Sequence, residues 1–150
     1  MSKAKIFLDS SALIAGVLSP VGAARVLLVM SERAEILLFI NEHVITETER
    51  SLAKKVPQAL PEFRRTLKNA DIKIIPNPSA REVKKNLYLI SDPQDVSILL
   101  SAMQAKVDFL ATHNRKHFLD DPKVSENSGL KIGMPGDALA WIREKLKPNQ

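Results

Sequence analysis

Four side chains with chemistry to offer stand at the edges of apolar stretches in this sequence. Asp9 follows Ile6-Phe7-Leu8 in KIFLDSSALIAG, Glu47 lies in ITETERSL, Asp95 in DPQDVSILLSA, and Asn114 in VDFLATHNRKHF. Asp and Glu supply the hard oxygen donors that hold Mg²⁺ or Mn²⁺ while several waters stay in place. Such an ion neutralises charge on a phosphate and acidifies a bound water, which is what phosphodiester cleavage requires. Its charge also offsets the repulsion between clustered carboxylates, which otherwise raises their pKa values. Ser10 and Thr112 are small hydroxyl residues close to the first and last of these positions, suited to orienting a carboxylate or meeting a phosphate. Arg115-Lys116 adjoins Asn114 and would face phosphates at the mouth of a cleft.

Each of these residues also has a plain structural explanation. Asp9 can N-cap a helix that starts at Ser10. Glu47 stands about 60° round its helix from Val44, on the border of the apolar stripe Val44, Ile45, Thr48 and Leu52. Asp95 occupies the third position after an N-cap Asp92 and Pro93, where a carboxylate favours the helix dipole. Asp92, an accessory acid because it shares that turn, is equally explained as the cap. Asn114 can cap a turn through Arg115-Lys116-His117. The functional case rests on their joint placement at one sheet edge. His113 and His117 are four apart, but no Glu completes an H-E-x-x-H arrangement and no helix is predicted there. They read as surface or substrate-contact residues rather than a zinc pair. His43 is an ordinary first-turn helix residue.

The elements that must bring these positions together alternate. Residues 3–8, 35–40, 72–76, 108–112 and 130–133 read as strands. Residues 10–18 read as a helix. Ser19-Pro20, as N-cap and N1 proline, opens a helix to about residue 33. Asn41 caps a helix to about residue 55, residues 57–69 form another, and Ser79 to Glu82 form a capping box. Asp92-Pro93 opens a helix to about residue 106, residues 119–129 read as a polar loop, and residues 135–146 as a final helix. Strands alternating with helices predict an α/β/α sandwich around a central parallel sheet of four or five strands, one domain over residues 1–150 with 148–150 as a frayed tail. In such sheets ligands gather beyond the carboxyl ends of the strands, where Asp9 and Asn114 fall.

The chain has 150 residues and no cysteine, so it has no disulfide framework and no thiolate metal site. No apolar stretch approaches the roughly 20 residues that span a bilayer, and the amino terminus runs directly into acid, unlike a signal peptide. A cytoplasmic protein without membrane association is expected. The net charge of +5 suits a polyanionic partner, while five Phe, one Tyr and one Trp are too few for a stacking platform. Among five glycines no dinucleotide or P-loop signature occurs.

The four quoted segments, in this order and at these separations, resemble the PIN-domain ribonucleases nearly end to end. The closing IGMPGDALAWI is similar to the last strand and helix of many members. The resemblance implies a PIN fold, a divalent-metal site and cleavage of RNA, with metal-site acids at Asp9, Glu47 and Asp95. The usual fourth acid falls on Asn114. The size implies a VapC-like toxin with an antitoxin partner, or a standalone RNA-processing nuclease; a homodimer is a further expectation. The alternative is a PIN-like domain that binds RNA or protein with little or no cutting, given Asn114. Haloacid-dehalogenase-type phosphatases also place an Asp after strand one, but need a second two residues on, where this chain has Ser11.

Overall fold

Ile6, Phe7 and Leu8 are consecutive, so their side chains point to alternate sides of a strand, and all three are buried. A strand buried on both sides needs cover on both, which is the condition of a parallel sheet between helices. The structure is a computed structural model that describes residues 2–147. The tail expected at 148–150 lies outside the described residues.

In chain order the elements are β1 (Ala4–Leu8), α1 (Ser10–Leu18), α2 (Ala23–Glu32), β2 (Ile36–Asn41), α3 (Glu42–Lys55), α4 (Leu60–Asn69), β3 (Lys73–Ile75), α5 (Ala80–Lys85), α6 (Pro93–Gln104), β4 (Phe109–Ala111), α7 (Pro122–Ser128), β5 (Lys131–Gly133) and α8 (Pro135–Leu146). All five strands pair in parallel in the order β3-β2-β1-β4-β5. Ile6 lies in register with Leu38 on one side and Phe109 on the other. The chain winds outward through β2 and β3, then crosses to the far side of β1 with β4. The carboxyl ends of β1 and β4 therefore flank the point where strand order reverses, the crevice in which open parallel sheets bind ligands. No single described helix is long and apolar enough to cross a membrane.

Two expected elements differ. The helix expected from Pro20 begins at Ala23, after Gly22 at φ 108°. Ser19 closes α1 instead, its N–H donating to Ala15 O at 3.0 Å. The end of α1 is then satisfied from α2: Arg25 donates to the carbonyls of Val17 and Ser19 at 3.1 and 3.0 Å. Pro20 and Val21 are exposed, so an extra turn there would bury nothing. The second difference is α7, inside the stretch expected to be a loop. Asp121 caps it, accepting from Lys123 N at 3.0 Å, Pro122 stands at its first position, and Gly129 ends it at φ 72°. Only Val124 and Ser128 of α7 are buried, so no apolar periodicity marks it.

Asn41 joins two helices that carry acids. It caps α3, Oδ1 accepting from Val44 N at 2.9 Å, and its Nδ2 donates to Ser101 Oγ at 2.9 Å and Ser97 O at 3.2 Å on α6. It is fully buried. Asn41→Ala should destabilise the protein by about 2–4 kcal/mol, because a cap is lost and buried partners on α6 are stranded. Urea unfolding measures this; a loss below about 1 kcal/mol, the value of a solvent-exposed cap alone, would show that the link to α6 contributes nothing.

Candidate metal centre

A carboxylate that ends a buried strand must find donors, and Asp9 finds three. Its Oδ1 accepts from Ala12 N at 3.0 Å, the N-cap bond of α1, and from Ser11 Oγ at 2.7 Å. Its Oδ2 accepts from the Thr112 hydroxyl, just past β4. Both hydroxyls are themselves oriented: Ser11 Oγ accepts from His113 N and Thr112 Oγ1 from Asn114 N, each at 2.9 Å. With a backbone N–H on an oxygen lone pair, each hydroxyl hydrogen is turned toward Asp9. A carboxylate has about four acceptor positions, so one remains. Asp9 is thus both the cap and a carboxylate at the switch point, 5% exposed. Ser10, expected to help orient it, opens α1; the serine bonded to Asp9 is Ser11.

Glu47 is half-buried on α3, with Oε1 3.1 Å from His43 Nε2, a residue expected to be ordinary. Asp92 caps α6 by accepting from Gln94 N at 2.9 Å. Asp95, one turn in, bonds across the site: its Oδ2 is 2.9 Å from His117 Nδ1, while Asp92 Oδ2 is 3.6 Å from the same nitrogen. Asn114 caps a π-helical turn over Arg115–Leu119, accepting from His117 N at 3.1 Å, where no helix was expected. That turn swings His117 back to the acids and leaves Arg115 and Lys116 exposed. The ligand atoms of Asp92, Asp95 and His117 lie within 4.8 Å of one another; Asp9 and Glu47 are not members of that tight group. His117 escaped the sequence reading because its place depends on a turn without helical period. The one available signal was its spacing of three from the capping Asn114.

Electrostatics tie the wider set together. Burial pushes the Asp9 carboxyl above its usual range, against its hydrogen bonds. Burial also raises Glu47, and the charges of Asp9 and Asp92 raise it further. Asp95 is raised to about 6, first by burial, then by Asp92, with Glu47 adding a smaller push and His117 opposing. Each acid therefore feels the next across the crevice, from Asp9 to Glu47 to Asp92 and Asp95. Carboxylates with one imidazole form a donor set that fits a hard or borderline divalent cation, and its charge would relieve the repulsion.

Residues 5–116 match the family model described as PIN domain. The chain belongs to the PIN-domain family. PIN domains are generally nucleases and usually bind divalent metals. The fold is similar to that of PAE2754 from Pyrobaculum aerophilum, with 18% identity and a TM-score of 0.64 over 94% of this chain and 90% of that one. It is also similar to VapBC2 from Rickettsia felis, solved bound to a DNA fragment from their promoter, with 18% identity and a TM-score of 0.62 over 87% of this chain and 98% of that one. No curated protein matches the chain in sequence.

The raised Asp95 sets a pH signature. Its folded pKa of about 6 exceeds the ordinary 3.8, so the folded protein holds this proton more tightly than the unfolded chain. The stability that proton confers is complete below pH 3.8 and is lost as pH rises toward 6. Metal-free protein should therefore lose stability over this window on Asp95's account, and Asp95→Asn should flatten the slope and melt higher near pH 7. Mn²⁺ should raise the melting temperature more at pH 7 than at pH 5, since the ion must displace protons. Thermal melts across pH, with and without Mn²⁺, test this. A metal increment independent of pH would separate the ion from these acids.

Proposed function

We propose that this protein is a divalent-metal-dependent endoribonuclease, and that it is the toxin of a toxin–antitoxin pair. The observation that carries the nuclease is the convergence of Asp9, Glu47, Asp92 and Asp95 at the switch point of a PIN-family sheet, where the charges of Asp9 and Asp92 raise Glu47 and those of Asp92 and Glu47 raise Asp95. Asp9, Glu47 and Asp95 hold Mg²⁺ or Mn²⁺, with Asp92 as the accessory acid. When bound, the ion supplies Lewis-acid charge at the phosphate and a more acidic water. The rest falls to side chains. Ser11 and Thr112 fix the Asp9 carboxylate in one orientation. Asp92 caps the start of α6, one turn before Asp95. Arg115 and Lys116, exposed beside Asn114, draw in the phosphates of the RNA.

The toxin assignment is supported by the family and by the likeness in fold to VapBC2. It implies an antitoxin protein partner and, with it, a homodimer acting in the cytoplasm on RNA. A PIN-like domain that binds RNA or protein without cutting is favoured by one observation: Asn114 uses its carboxamide oxygen to cap the turn, and offers no charge to a metal.

Two measurements decide between them. Asp9→Asn should abolish RNA cleavage, and excess chelator should do the same to the unmutated protein. The fold should survive, because Asn retains an oxygen for the Ala12 N–H and removes a desolvated charge. Full activity in either condition would sink the metal mechanism. Substrate binding should be mainly electrostatic, with a log–log salt slope of roughly −2 to −3 for three or four phosphate contacts on a single strand. Titrating labelled RNA into Asp9→Asn protein across a salt series should show this, and Arg115→Ala/Lys116→Ala should weaken binding and flatten the slope. A flat dependence in the parent protein would remove RNA from this crevice.

A further inference from the structure

The position of the family's usual fourth acid holds an amide, Asn114, yet the corner of the site beside Asp92 and Asp95 is filled by a nitrogen. His117 Nδ1 stands 2.9 Å from Asp95 Oδ2 and 3.6 Å from Asp92 Oδ2, and the three residues' donor atoms lie within 4.8 Å of one another. Around an octahedral ion with bonds of about 2.1 Å, adjacent donors stand about 3.0 Å apart and opposite ones about 4.2 Å. The two distances from the imidazole nitrogen fall between those for adjacent and opposite donors or close to them, so the trio is near the spacing of donors around one ion. To receive an ion, the imidazole gives up the Nδ1 hydrogen bond to Asp95 and carries its proton on Nε2, and the ion takes the proton's place between the two.

This placement is built by the chain. Asn114 Oδ1 accepts from His117 N at 3.1 Å, and Asn114 Nδ2 lies 3.4 Å from the imidazole Nδ1. The next residue, Phe118, is 3% exposed and anchors the turn in the core. The turn itself is π-helical over Arg115–Leu119, a local conformation often found at functional sites. His113 is exposed and takes no part in the trio, so the two histidines four apart are not a pair. Asn114 acts by placing the imidazole.

We propose that His117 is a ligand of this metal centre, and that its nitrogen tilts the site from Mg²⁺ toward Mn²⁺ and the later first-row metals. The proposal rests on the acid cluster being a metal centre, as proposed above. Mg²⁺ is bound through oxygen, whereas imidazole suits transition metals, whose affinities for such a site rise from Mn²⁺ to Co²⁺ and Ni²⁺. A site of carboxylates alone would lack this preference. Asn114→Asp would add a charge without adding nitrogen, so it should tighten Mn²⁺ and Mg²⁺ alike.

Pulsed electron paramagnetic resonance of Mn²⁺ bound to the intact protein tests the claim, because coordinated imidazole gives a ¹⁴N coupling that carboxylates do not. The coupling should appear in the parent protein and in His43→Gln and His113→Gln, and vanish in both His117→Gln and His117→Asp. Calorimetry should show Mn²⁺ affinity falling at least about tenfold in His117→Gln, with Mg²⁺ affinity changing less. Melting curves of the metal-free variants confirm which are folded, and the Asp variant serves if the Gln variant is not. Mn²⁺ that binds without nitrogen coupling, or coupling that survives both His117 substitutions, overturns the role of His117 and leaves the metal centre standing. Mn²⁺ that fails to bind, or binds Asp95→Asn as tightly as the parent, removes the metal centre and the proposal together.

Discussion

Like charges held out of water beside one another are the constraint around which this molecule is arranged. Asp9, Glu47, Asp92 and Asp95 arrive from α1, α3 and α6; burial pushes Asp9, Glu47 and Asp95 upward in pKa, and neighbouring carboxylates push Glu47 and Asp95 further. A fold gains nothing from such crowding by itself. The parallel sheet sets where the acids meet, not that they be acids. The carboxyl ends of β1 and β4 meet at the reversal of strand order, and whatever follows those strands is delivered to one crevice.

The surrounding polar structure limits the cost of that crowding. Asp9 receives three donors, two of them hydroxyls held in turn by the backbone of His113 and Asn114. Asn41, fully buried, locks the first turn of α3 to α6 and so holds the helices of Glu47 and Asp95 in fixed relation. His117 stands against Asp95 and Asp92. The same residues that make the acids tolerable also aim them, so stability and site geometry are supplied by one set of bonds.

The sheet was legible because the apolar run Ile6 to Leu8 is short and stops at Asp9, as a strand covered on both sides does, whereas the equally apolar Ile98 to Leu100 lies inside a long capped helix. Most caps were legible from a polar residue placed before a helical run: Asp9, Asn41, Ser79 and Asp92 all cap as their positions suggest, whereas Ser19 closes α1 instead of opening α2. For Asp9 the choice between cap and site was false, since one carboxylate is at once the helix cap and a member of the acid crevice. What stayed hidden depends on geometry finer than periodicity. Whether Ser10 or Ser11 meets Asp9 is decided by the twist of a single turn. The approach of His117 to Asp95 depends on a five-residue π turn with no repeat to betray it. The helix α7 is short and polar outside Val124 and Ser128, so its Asp121-Pro122 start and Gly129 stop were the only signs of it.

The central claim is that these acids form one metal centre. Anomalous diffraction from crystals soaked in Mn²⁺ tests it most directly. The account predicts a peak within bonding distance, about 2.2 Å, of Asp95 and of at least one of Asp9 and Glu47. A well-ordered crevice without such a peak at saturating Mn²⁺, with the acids contacting only water and one another, would contradict it.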